Sequence, residues 1–413
     1  MIVVSLMTNE VSMNRTFAII DLANLYSRAK YVTKGDIMER MGMAIHITIS
    51  SMKKSWNEFN ADHFVICLEG RSWRKDVYKP YKLNRQDKYT QMSSEEIDDE
   101  KKFWESLSEF QKFLDEKTNC TVLQHPNLEA DDLVAGWIQV HPNDNHIILS
   151  SDSDFEQLVS DNVRQYNGIS EVLTTIDGYF INGKPVYDKK TGLKKEPPNP
   201  SWSLFEKCIR GDRSDNIFSA YPGVRKKGTK NKVGLLEAFE DKQEKGFNWN
   251  NLMLQRWSDH NGIEHRVIDD YQRNVELIDL TAQPQHVKSM IDETINAVKP
   301  KHVQQVGIHL MRFCSKWELE TISDQVEQFA QMFSAKYTGE IVYAGKSMVP
   351  WLSEIFKQFL DQDNTDSWIG YLNSRLDEYG AELINDGNDF RFKTPKQKTM
   401  FLMKYAHIIG VLG

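Results

Sequence analysis

The stretch FAIID, residues 17–21, is a short apolar run that ends in an acid, and the same pattern returns in HFVICLE (63–69) and HIILSSD (146–152). Two amphipathic segments, 35–58 and 95–117, separate these runs. The second segment places at helical spacing Ile97, Trp104, Leu107, Phe110 and Leu114. Apolar strands that alternate with helices predict an α/β fold with a parallel sheet covered by helices on both faces.

The acids that end the three strands are Asp21, Glu69 and Asp152. In open parallel sheets, ligands bind beyond the carboxyl ends of the strands. Three separate strands are therefore expected to direct an acid toward one edge of the sheet.

Further acids occur in the motif LEADD, residues 128–132. If this motif opens a helix, Glu129 and Asp132 share one face and Asp131 lies beside them. The alternative is structural, because acids favour the positive end of a helix whatever the function.

Two more acidic motifs follow, SSDSDF with Asp152 and Asp154, and RGDRSDN with Asp212 and Asp215. Asp152 and Asp154 would point the same way if the preceding strand continues. A structural alternative exists here too, because Asp152 and Asp154 could simply open a turn. For Asp21, the structural alternative is a helix cap.

The occurrence of all these acidic motifs in one chain is harder to explain by structural roles alone. Two unit charges about 5 Å apart repel by roughly 3 kcal/mol at an effective dielectric of about 20, so converging acids indicate bound cations. Oxygen ligands favour Mg²⁺ or Mn²⁺ over zinc. Two such ions about 3.5 to 4 Å apart are a common device for in-line attack of water on a phosphodiester.

The composition is that of an ordinary globular protein: 413 residues, 40% hydrophobic and 27% charged. No apolar run approaches the roughly 20 residues of a membrane span. The opening MIVVSLM lacks the features of a signal peptide, so we expect a cytoplasmic protein with no membrane partner. The four cysteines are far apart and are expected to be reduced thiols: Cys67, Cys120, Cys208 and Cys314.

The net charge of −8 hides a local concentration of Lys and Arg in three stretches, 71–88, 184–195 and 225–232. An acidic centre with basic segments around it fits an enzyme that holds metals inside and binds phosphates around them. A wholly basic nucleic-acid-binding surface is not indicated.

The chain is expected to divide at two places. The catalytic core spans 15–200 and includes a hairpin excursion (169–200) around Asn182-Gly183. The segment 201–339 is mostly helical in pattern, and 340–413 reads as a separate mixed appendix of unknown role.

The ordered acidic motifs resemble those of the flap endonuclease and 5′–3′ exonuclease family, most closely the bacteriophage RNase H branch that removes RNA primers. The resemblance spans about residues 15–300. It implies a PIN-like core, a helical arch at about 71–118 and a helix-three-turn-helix region. It also implies a two-metal site, with Mg²⁺ or Mn²⁺ held by Asp21, Glu69, Glu129, Asp131, Asp132, Asp152, Asp154, Asp212 and Asp215. Glu69 departs from the pattern, because the family commonly has Asp there.

The resemblance also assigns cations in the arch segment SWRKDVYKPYKLNR (72–85). Lys82 and Arg74 would contact the scissile phosphate and act in catalysis with Asp131 and Asp152, while Arg85 would assist in binding nucleic acid. Trp73 and Tyr81 could stack on unpaired bases or pack under the arch. A solvated loop is the structural alternative for the whole segment.

The stretch YPGVRKKGTKNKVGLLEAF (221–239) is similar to the family's helix-three-turn-helix motif, with an insertion at Arg225–Lys227. By that resemblance Gly223, Gly228 and Lys230 would bind the backbone of duplex DNA without reading its sequence. Lys232 stands where a small residue is expected, which leaves monovalent-ion binding by this loop open. An ordinary helix connection is the alternative.

The resemblance implies a 5′–3′ exonuclease and flap endonuclease of replication that acts as a monomer on duplex DNA or on RNA–DNA hybrids. A single-strand-binding protein or a sliding clamp is an expected partner by family analogy alone. Two other classes remain open: a non-catalytic binder of branched DNA, and a PIN-type ribonuclease. The intact acids count against the binder, and the helix-three-turn-helix motif counts against the ribonuclease.

Overall fold

The structure is a computed structural model of the chain. It describes residues 15–32, 35–85, 92–230, 232–337, 341–343, 349–360, 368–379, 381–384, 389–392, 400–401 and 404. They form two compact units. The first contains Thr16–Ile295 and Val303–Ala335, and the second contains Arg15, Asn296–His302 and the described residues from Lys336 onward.

The first unit is built on an eight-stranded sheet of order β3-β2-β1-β4-β5-β6-β7-β8. Its strands are β1 (Thr16–Asp21), β2 (His63–Cys67), β3 (Thr121–Leu123), β4 (Asn145–Leu149), β5 (Val163–Asn167), β6 (Val172–Thr175), β7 (Gly178–Ile181) and β8 (Lys184–Pro185). The first five are parallel, and β6 to β8 extend the edge in antiparallel fashion. The predicted parallel core is confirmed, and the sheet is mixed as a whole.

Helices cover both faces of this sheet, as the sequence predicts. They are α1 (Leu22–Val32), α2 (Ile37–Phe59), α4 (Ser94–Lys117) and α5 (Ala130–Val140), while the short α3 (Arg74–Val77) lies between β2 and α4 in the chain. Alternate residues of β1 face opposite layers: Ala18 and Ile20 belong to the core that α1, α2 and α4 share, and Phe17 meets Trp137 of α5 edge-on at 5.3 Å. Burial of alternate side chains on both faces fixes the register of the strand.

The register aligns the carboxyl ends of the central strands. Asp21 lies opposite Cys67 of β2, and Ile20 lies opposite Leu149 of β4. The loops that follow β1, β2 and β4 therefore leave the sheet at one edge, which brings Glu69 and the 150–155 motif close to Asp21.

The predicted hairpin at Asn182-Gly183 is confirmed between β7 and β8. Both turn residues have positive φ, 49° and 73°. This is the conformation of a two-residue hairpin turn, and Asn and Gly adopt it most readily.

Beyond the sheet the first unit is mainly helical, with α6 (Pro200–Arg210), α7 (Leu235–Glu240), α8 (Phe247–Met253), α9 (Val267–Ile278), α10 (Gln285–Asn296), α11 (Val306–Lys316), α12 (Glu320–Ser323) and α13 (Val326–Ser334). A small hairpin, β9 (Arg256–Ser258) with β10 (Glu264–Arg266), interrupts them. Helices α6 to α9 share a core that includes Phe205, Trp249 and Tyr271. None of the helices that the structure describes is both long and apolar enough to cross a membrane.

The second unit contains a three-stranded antiparallel sheet of order β11-β13-β12, formed by β11 (Ile341–Tyr343), β12 (Ala381–Ile384) and β13 (Asp389–Phe392). It also contains α14 (Val349–Leu360) and α15 (Trp368–Asp377). In its core the Phe401 ring meets Tyr379 edge-on and Phe392 at a tilt.

Candidate active site

A cavity of about 1870 Å³ opens at the carboxyl edge of the parallel strands. Segments from α1, α4 and the loops after β2, β4 and α6 form its walls. The acids that line it are Asp21, Glu69, Glu129, Asp131, Asp152, Asp154 and Asp215. The structure thus brings together seven of the nine acids that the sequence singled out.

Four of these acids form one group: Asp21, Glu69, Asp131 and Asp152. None of them takes part in an ion pair with any residue that the structure describes. Asp21 accepts hydrogen bonds from the amide of Asn24 at 3.1 Å and from Ser150 Oγ at 3.3 Å. We call these four residues the unpaired acids.

Three of these acids, Asp21, Glu69 and Asp131, have raised pKa values, first because they are desolvated and then because negative charges lie near them. Burial, and then the charges of Glu69 and Asp152, raise the pKa of Asp21 to about 7. Burial and the charges of Asp21, Glu69 and Asp152 raise the pKa of Asp131 well above its usual range. Desolvation by the cavity walls and the charge of Glu129 raise the pKa of Glu69, although its side chain faces the cavity. The group would gain stability from a cation.

Glu129 belongs to a different environment, because cations surround it. Its Oε1 contacts Lys82 Nζ at 2.5 Å, and its Oε2 accepts from Arg74 at 2.9 Å and Ser72 at 2.6 Å. Burial alone would raise the pKa of Glu129, but the charges of Lys82 and Arg74 outweigh it and lower the pKa to about 2. Glu129 is ionised throughout the physiological range.

Arg74 and Asp132 form a buried ion pair outside the cavity, which corrects two predicted roles. Asp132 is fully buried, and its oxygens accept from Arg74 Nη1 at 3.0 Å and Nη2 at 2.9 Å. Arg74 also donates to the carbonyl oxygen of Leu277 at 2.8 Å. Asp132 is therefore not placed to bind a metal, and Arg74 is not placed to contact a phosphate. Trp73, which donates to Asp132 at 3.2 Å, is likewise packed rather than available for stacking.

Lys82 lies at the cavity between two carboxylates, Glu129 and Asp215. Its backbone is in the left-handed region at φ 54°, and its amide donates to the carbonyl oxygen of Asp215 at 2.8 Å. The Tyr81 hydroxyl is buried and bridges the same two carboxylates at 3.0 Å each. Arg85 Nη2 donates to Asp215 Oδ1 at 2.8 Å from an exposed position. The predicted phosphate contacts of Lys82 and Arg85 thus have suitable locations.

The 150–155 motif does not continue the strand. β4 ends at Leu149, and a 3₁₀ helix (Ser153–Leu158) begins with Asp152 as its cap, which accepts from the Asp154 amide at 3.0 Å. Asp152 and Asp154 are separated by this cap rather than aligned along a strand. A Ser-Asp-Ser-Asp sequence favours such a turn, because the Asp side chain bonds its own backbone two residues on.

Lys207 of α6 is a functional candidate that the sequence reading missed. Its ammonium bridges Asp154 and Asp212, with 2.7 Å to Asp212 Oδ2. Burial and the charge of Asp152 raise the pKa of Asp154 to about 6, although the charge of Lys207 opposes the shift. Burial would also raise the pKa of Asp212, but Lys207 lowers it. Lys207 lies five residues before Asp212, and only the three-dimensional turn at the end of α6 reveals their contact.

The donor set fits a hard divalent cation, because the acids offer only oxygen atoms. Nevertheless, within the described ranges no three His, Cys, Asp or Glu side chains stand close enough to hold an ion as they are placed. The unpaired acids would have to rotate toward a common point. Mutual repulsion of the carboxylates opposes such convergence unless a cation is present.

Exposed cations lie around the acids, which confirms the predicted basic surroundings in part. They line the same cavity and are Arg28, Arg71, Lys75, Lys79, Arg85 and Arg213. We call them the basic rim. Only the first of the three basic stretches, 71–88, contributes to it.

The predicted helix-three-turn-helix segment connects α6 to α7 through a series of turns. The amides of Gly228 and Gly234 both donate to the carboxylate of Glu237 at 3.0 Å. A Cβ at Gly228 would meet the Lys232 carbonyl oxygen at 2.5 Å. We call residues 228–230 and 232–234 with Glu237 the clasped loop. Gly223 has φ 72° in an exposed turn, and Lys230 is exposed.

Several known proteins resemble this chain over part of its length. Residues 16–189 match the family model of the 5′–3′ exonuclease N-terminal resolvase-like domain. A flap endonuclease of Escherichia phage T5 is 25% identical over 233 residues, which is 56% of this chain and 72% of that protein. A DNA polymerase I of Chloroflexus aurantiacus is 27% identical over 190 residues, which is 44% of this chain and 17% of the polymerase. A crystal structure of the phage T5 protein with metal ions has a TM-score of 0.48 at 20% identity, and the match covers 68% of this chain and 98% of that one.

Proposed function

We propose that the chain is a member of the flap endonuclease and 5′–3′ exonuclease family, whose N-terminal domain model matches residues 16–189. We propose further that it hydrolyses phosphodiesters at the 5′ ends and flap junctions of DNA in a reaction that needs divalent metal. The observation that carries this proposal is the group of unpaired acids at the floor of a cavity with a basic rim. A protein that only binds DNA gains nothing from such repulsion between carboxylates.

Two divalent ions, Mg²⁺ or Mn²⁺, are the proposed cofactors. Asp21, Glu69, Asp131 and Asp152 would hold the first, and Asp154 with Asp212 would hold the second in exchange for Lys207. These acids would hold the ions where bound metal would lower the pKa of water and offset the charge on the phosphate.

The protein's own cations have separate tasks in this proposal. Lys82 reaches the cavity and stays protonated: burial opposes the charge, but Glu129 and Asp215 raise the pKa of Lys82 to about 12. With Arg85 it would hold the scissile phosphate and stabilise the charge that develops there. Arg74 has an indirect role: it bonds Glu129 and so holds the carboxylate that positions Lys82.

Duplex DNA beyond the cut would be held by the clasped loop and its neighbours. Arg225, Lys226, Lys227 and Lys230 are exposed around it. Cations on a loop with closely packed glycines suit the sugar-phosphate backbone, which carries no sequence information. The proposed recognition is therefore of DNA shape and charge.

We further propose that the biological role is removal of RNA primers during replication, with RNA–DNA hybrid as a second substrate. The order of the acidic motifs and their resemblance to the phage RNase H branch support this role. A monomer in the cytoplasm, assisted by a single-strand-binding protein or a sliding clamp, remains the expected setting.

The decisive experiment uses a 5′-labelled forked duplex whose 5′ strand is either DNA or RNA. The purified protein is incubated with each fork in Mg²⁺ or in chelator, beside Asp152→Asn. The matched control is Asp161→Asn, because Asp161 is exposed on the loop before β5 and does not line the active-site cavity.

We expect short labelled products from wild type and from Asp161→Asn in Mg²⁺ only. Asp152→Asn should cut at least about 100-fold more slowly, since one acid of the unpaired group is lost. Tight binding to the fork without cutting under any of these conditions would instead assign the protein to the branched-DNA binders. Equal cutting of unpaired RNA and of junctions would favour the ribonuclease class.

A further inference from the structure

Helix α4 contributes a wall of the active-site cavity that carries no acid. Trp104, Ser108 and Gln111 lie on successive turns of the helix and line the cavity with Leu107. Helical spacing predicts a core position for Trp104, yet its side chain is 40% exposed, while Leu107 is 3% exposed. The indole is therefore accessible to a molecule that enters the cavity.

The indole is held firmly although it is exposed. Its Nε1 donates to Glu100 Oε1 at 2.8 Å, and the ring meets Phe103 edge-on at 6.0 Å. Phe103 in turn packs on Tyr26 of α1 at 4.8 Å, and the Tyr26 hydroxyl bonds Ser106 Oγ at 2.7 Å. The Nε1 hydrogen is thus bound by Glu100. Only the aromatic surface of Trp104 is available for contacts in the cavity.

Helix α1, which packs on α4 through Tyr26, adds polar groups to the same wall. Asn24, Ser27 and Arg28 line the cavity, and Arg28 is exposed. The other aromatic side chains near the acids, Trp73 and Tyr81, are 3% and 4% exposed and are bonded to carboxylates. Of the aromatic groups that the structure describes at this cavity, Trp104 alone presents a large open surface.

An aromatic face beside a guanidinium is the combination that binds unpaired nucleotides, because every base can stack and every phosphate carries charge. A duplex would offer this wall only its backbone, since its bases are already stacked on one another. We propose that Trp104 stacks on an unpaired base of the 5′ strand and that Arg28 contacts a phosphate of the same strand. This inference deepens the proposed function and rests on it.

The test is an abasic scan of the 5′ flap. Flap substrates, each with one abasic site at a successive position, are measured for binding in chelator by fluorescence anisotropy and for cutting in Mg²⁺. Wild type should lose affinity about tenfold when the abasic site falls at one position or two adjacent ones, which is the loss of one stacked base. All other positions should have little effect.

The Trp104 variants identify the residue responsible. Trp104→Ala should bind the intact flap about tenfold more weakly and show no further loss at the sensitive position, whereas Trp104→Phe should retain most of the affinity and the position dependence. Arg28→Gln should weaken all substrates alike and lower the salt dependence of binding. Phe247→Ala removes a 78% exposed aromatic outside this cavity and serves as the control, with a wild-type scan expected.

A flat scan for wild type would overturn the inference, and so would an unchanged position dependence in Trp104→Ala. If Trp104→Ala does not fold, the scans of wild type and Trp104→Phe still show whether binding depends on the position of the abasic site. Failure of the proposed function has a different signature: wild type would cut no substrate in Mg²⁺, while the binding scan in chelator would still report on Trp104.

Discussion

Arg74 is a buried cation, 2% exposed, that donates to Glu129 and Asp132 and to a backbone carbonyl group. Burial disfavours its charge, but the Asp132 and Glu129 carboxylates raise the pKa of Arg74 above its usual value. Taking such charges out of water is costly, and only complete hydrogen bonding compensates for it. The arrangement therefore depends on all of its members.

Arg74→Met should destabilise the protein by about 3 to 5 kcal/mol, because it leaves Asp132 buried and unpaired. The measurement is the free energy of unfolding in urea, together with the thermal midpoint. Arg85→Met is the matched control: its pair with Asp215 leaves Arg85 60% exposed, so the change should cost at most about 1 kcal/mol. An Arg74 variant that keeps its stability while phosphate binding weakens would restore the originally predicted role.

Asp21 gives the metal-free protein a pH dependence with a definite sign. Burial and Glu69 raise its pKa to about 7 from 3.8, so the folded state binds the proton more tightly than the unfolded state does. The raised pKa favours the folded state at low pH, and that contribution is lost as the pH rises from about 4 to about 7.

Asp21→Asn should therefore stabilise the metal-free protein at pH 8 by on the order of 2 kcal/mol and flatten the fall in stability between pH 4 and pH 7. Thermal midpoints across that range in chelator measure both effects. Asp161→Asn should leave the pH profile unchanged. Added Mg²⁺ should stabilise wild type more than Asp21→Asn; equal stabilisation of the two would argue against Asp21 as a ligand.

At the scale of elements, the clasped loop depends on two glycines packed back to back. A Cβ at Gly234 would meet the Gly228 nitrogen at 2.3 Å, and the Glu237 carboxylate ties both amides together. Two backbone hydrogen bonds between Thr229 and Lys232 add to these contacts, and Val233 packs against the core that α6 to α9 share. The conformation of the loop is thus sensitive to a single methyl group.

Gly228→Ala should weaken duplex binding about tenfold, or about 1.4 kcal/mol, because the loop must open and its cations lose their register with the phosphates. Anisotropy with a blunt duplex in chelator measures the loss. Gly307→Ala in α11 is the control, since its Cβ would meet only the Ala330 side chain at an ordinary 3.5 Å. Unaltered duplex binding by Gly228→Ala would remove this loop from the proposed interface.

The elements that sequence periodicity predicts are those that bury apolar side chains. The central strands and helices α2 and α4 follow from patterns that repeat every two or 3.6 residues. The turn after β4 could be named only as the alternative to a continued strand, because a side chain that bonds its own backbone leaves no periodic signal. The hairpin β9–β10 was missed because its strands are three residues each.

The same distinction applies to the candidate site. The acids at strand ends could be located from the sequence, since topology alone brings them to one edge. Which acids carry a cationic partner could not, because Arg74 and Lys207 reach their carboxylates across long sequence separations or around a turn. Trp104 was assigned to the core for a related reason: helical spacing identifies a face but not what that face meets.

At the scale of the whole molecule, all the described site residues belong to the first compact unit, which has its own hydrophobic cores. In that unit α13 contributes Phe329 and Phe333 to the same core as the central strands. A core that closes within one unit allows it to fold independently.

A chain that ends at Ala335 should therefore fold and cut a forked duplex with kcat/KM within about threefold of the full chain, a difference below 1 kcal/mol in transition-state stabilisation. Circular dichroism and cleavage in Mg²⁺ test both parts, with Asp152→Asn in the shortened chain as the control for contaminating nuclease. A folded but inactive product would show that residues beyond Ala335 contribute to catalysis or DNA binding, whereas an unfolded product would show that they complete the core.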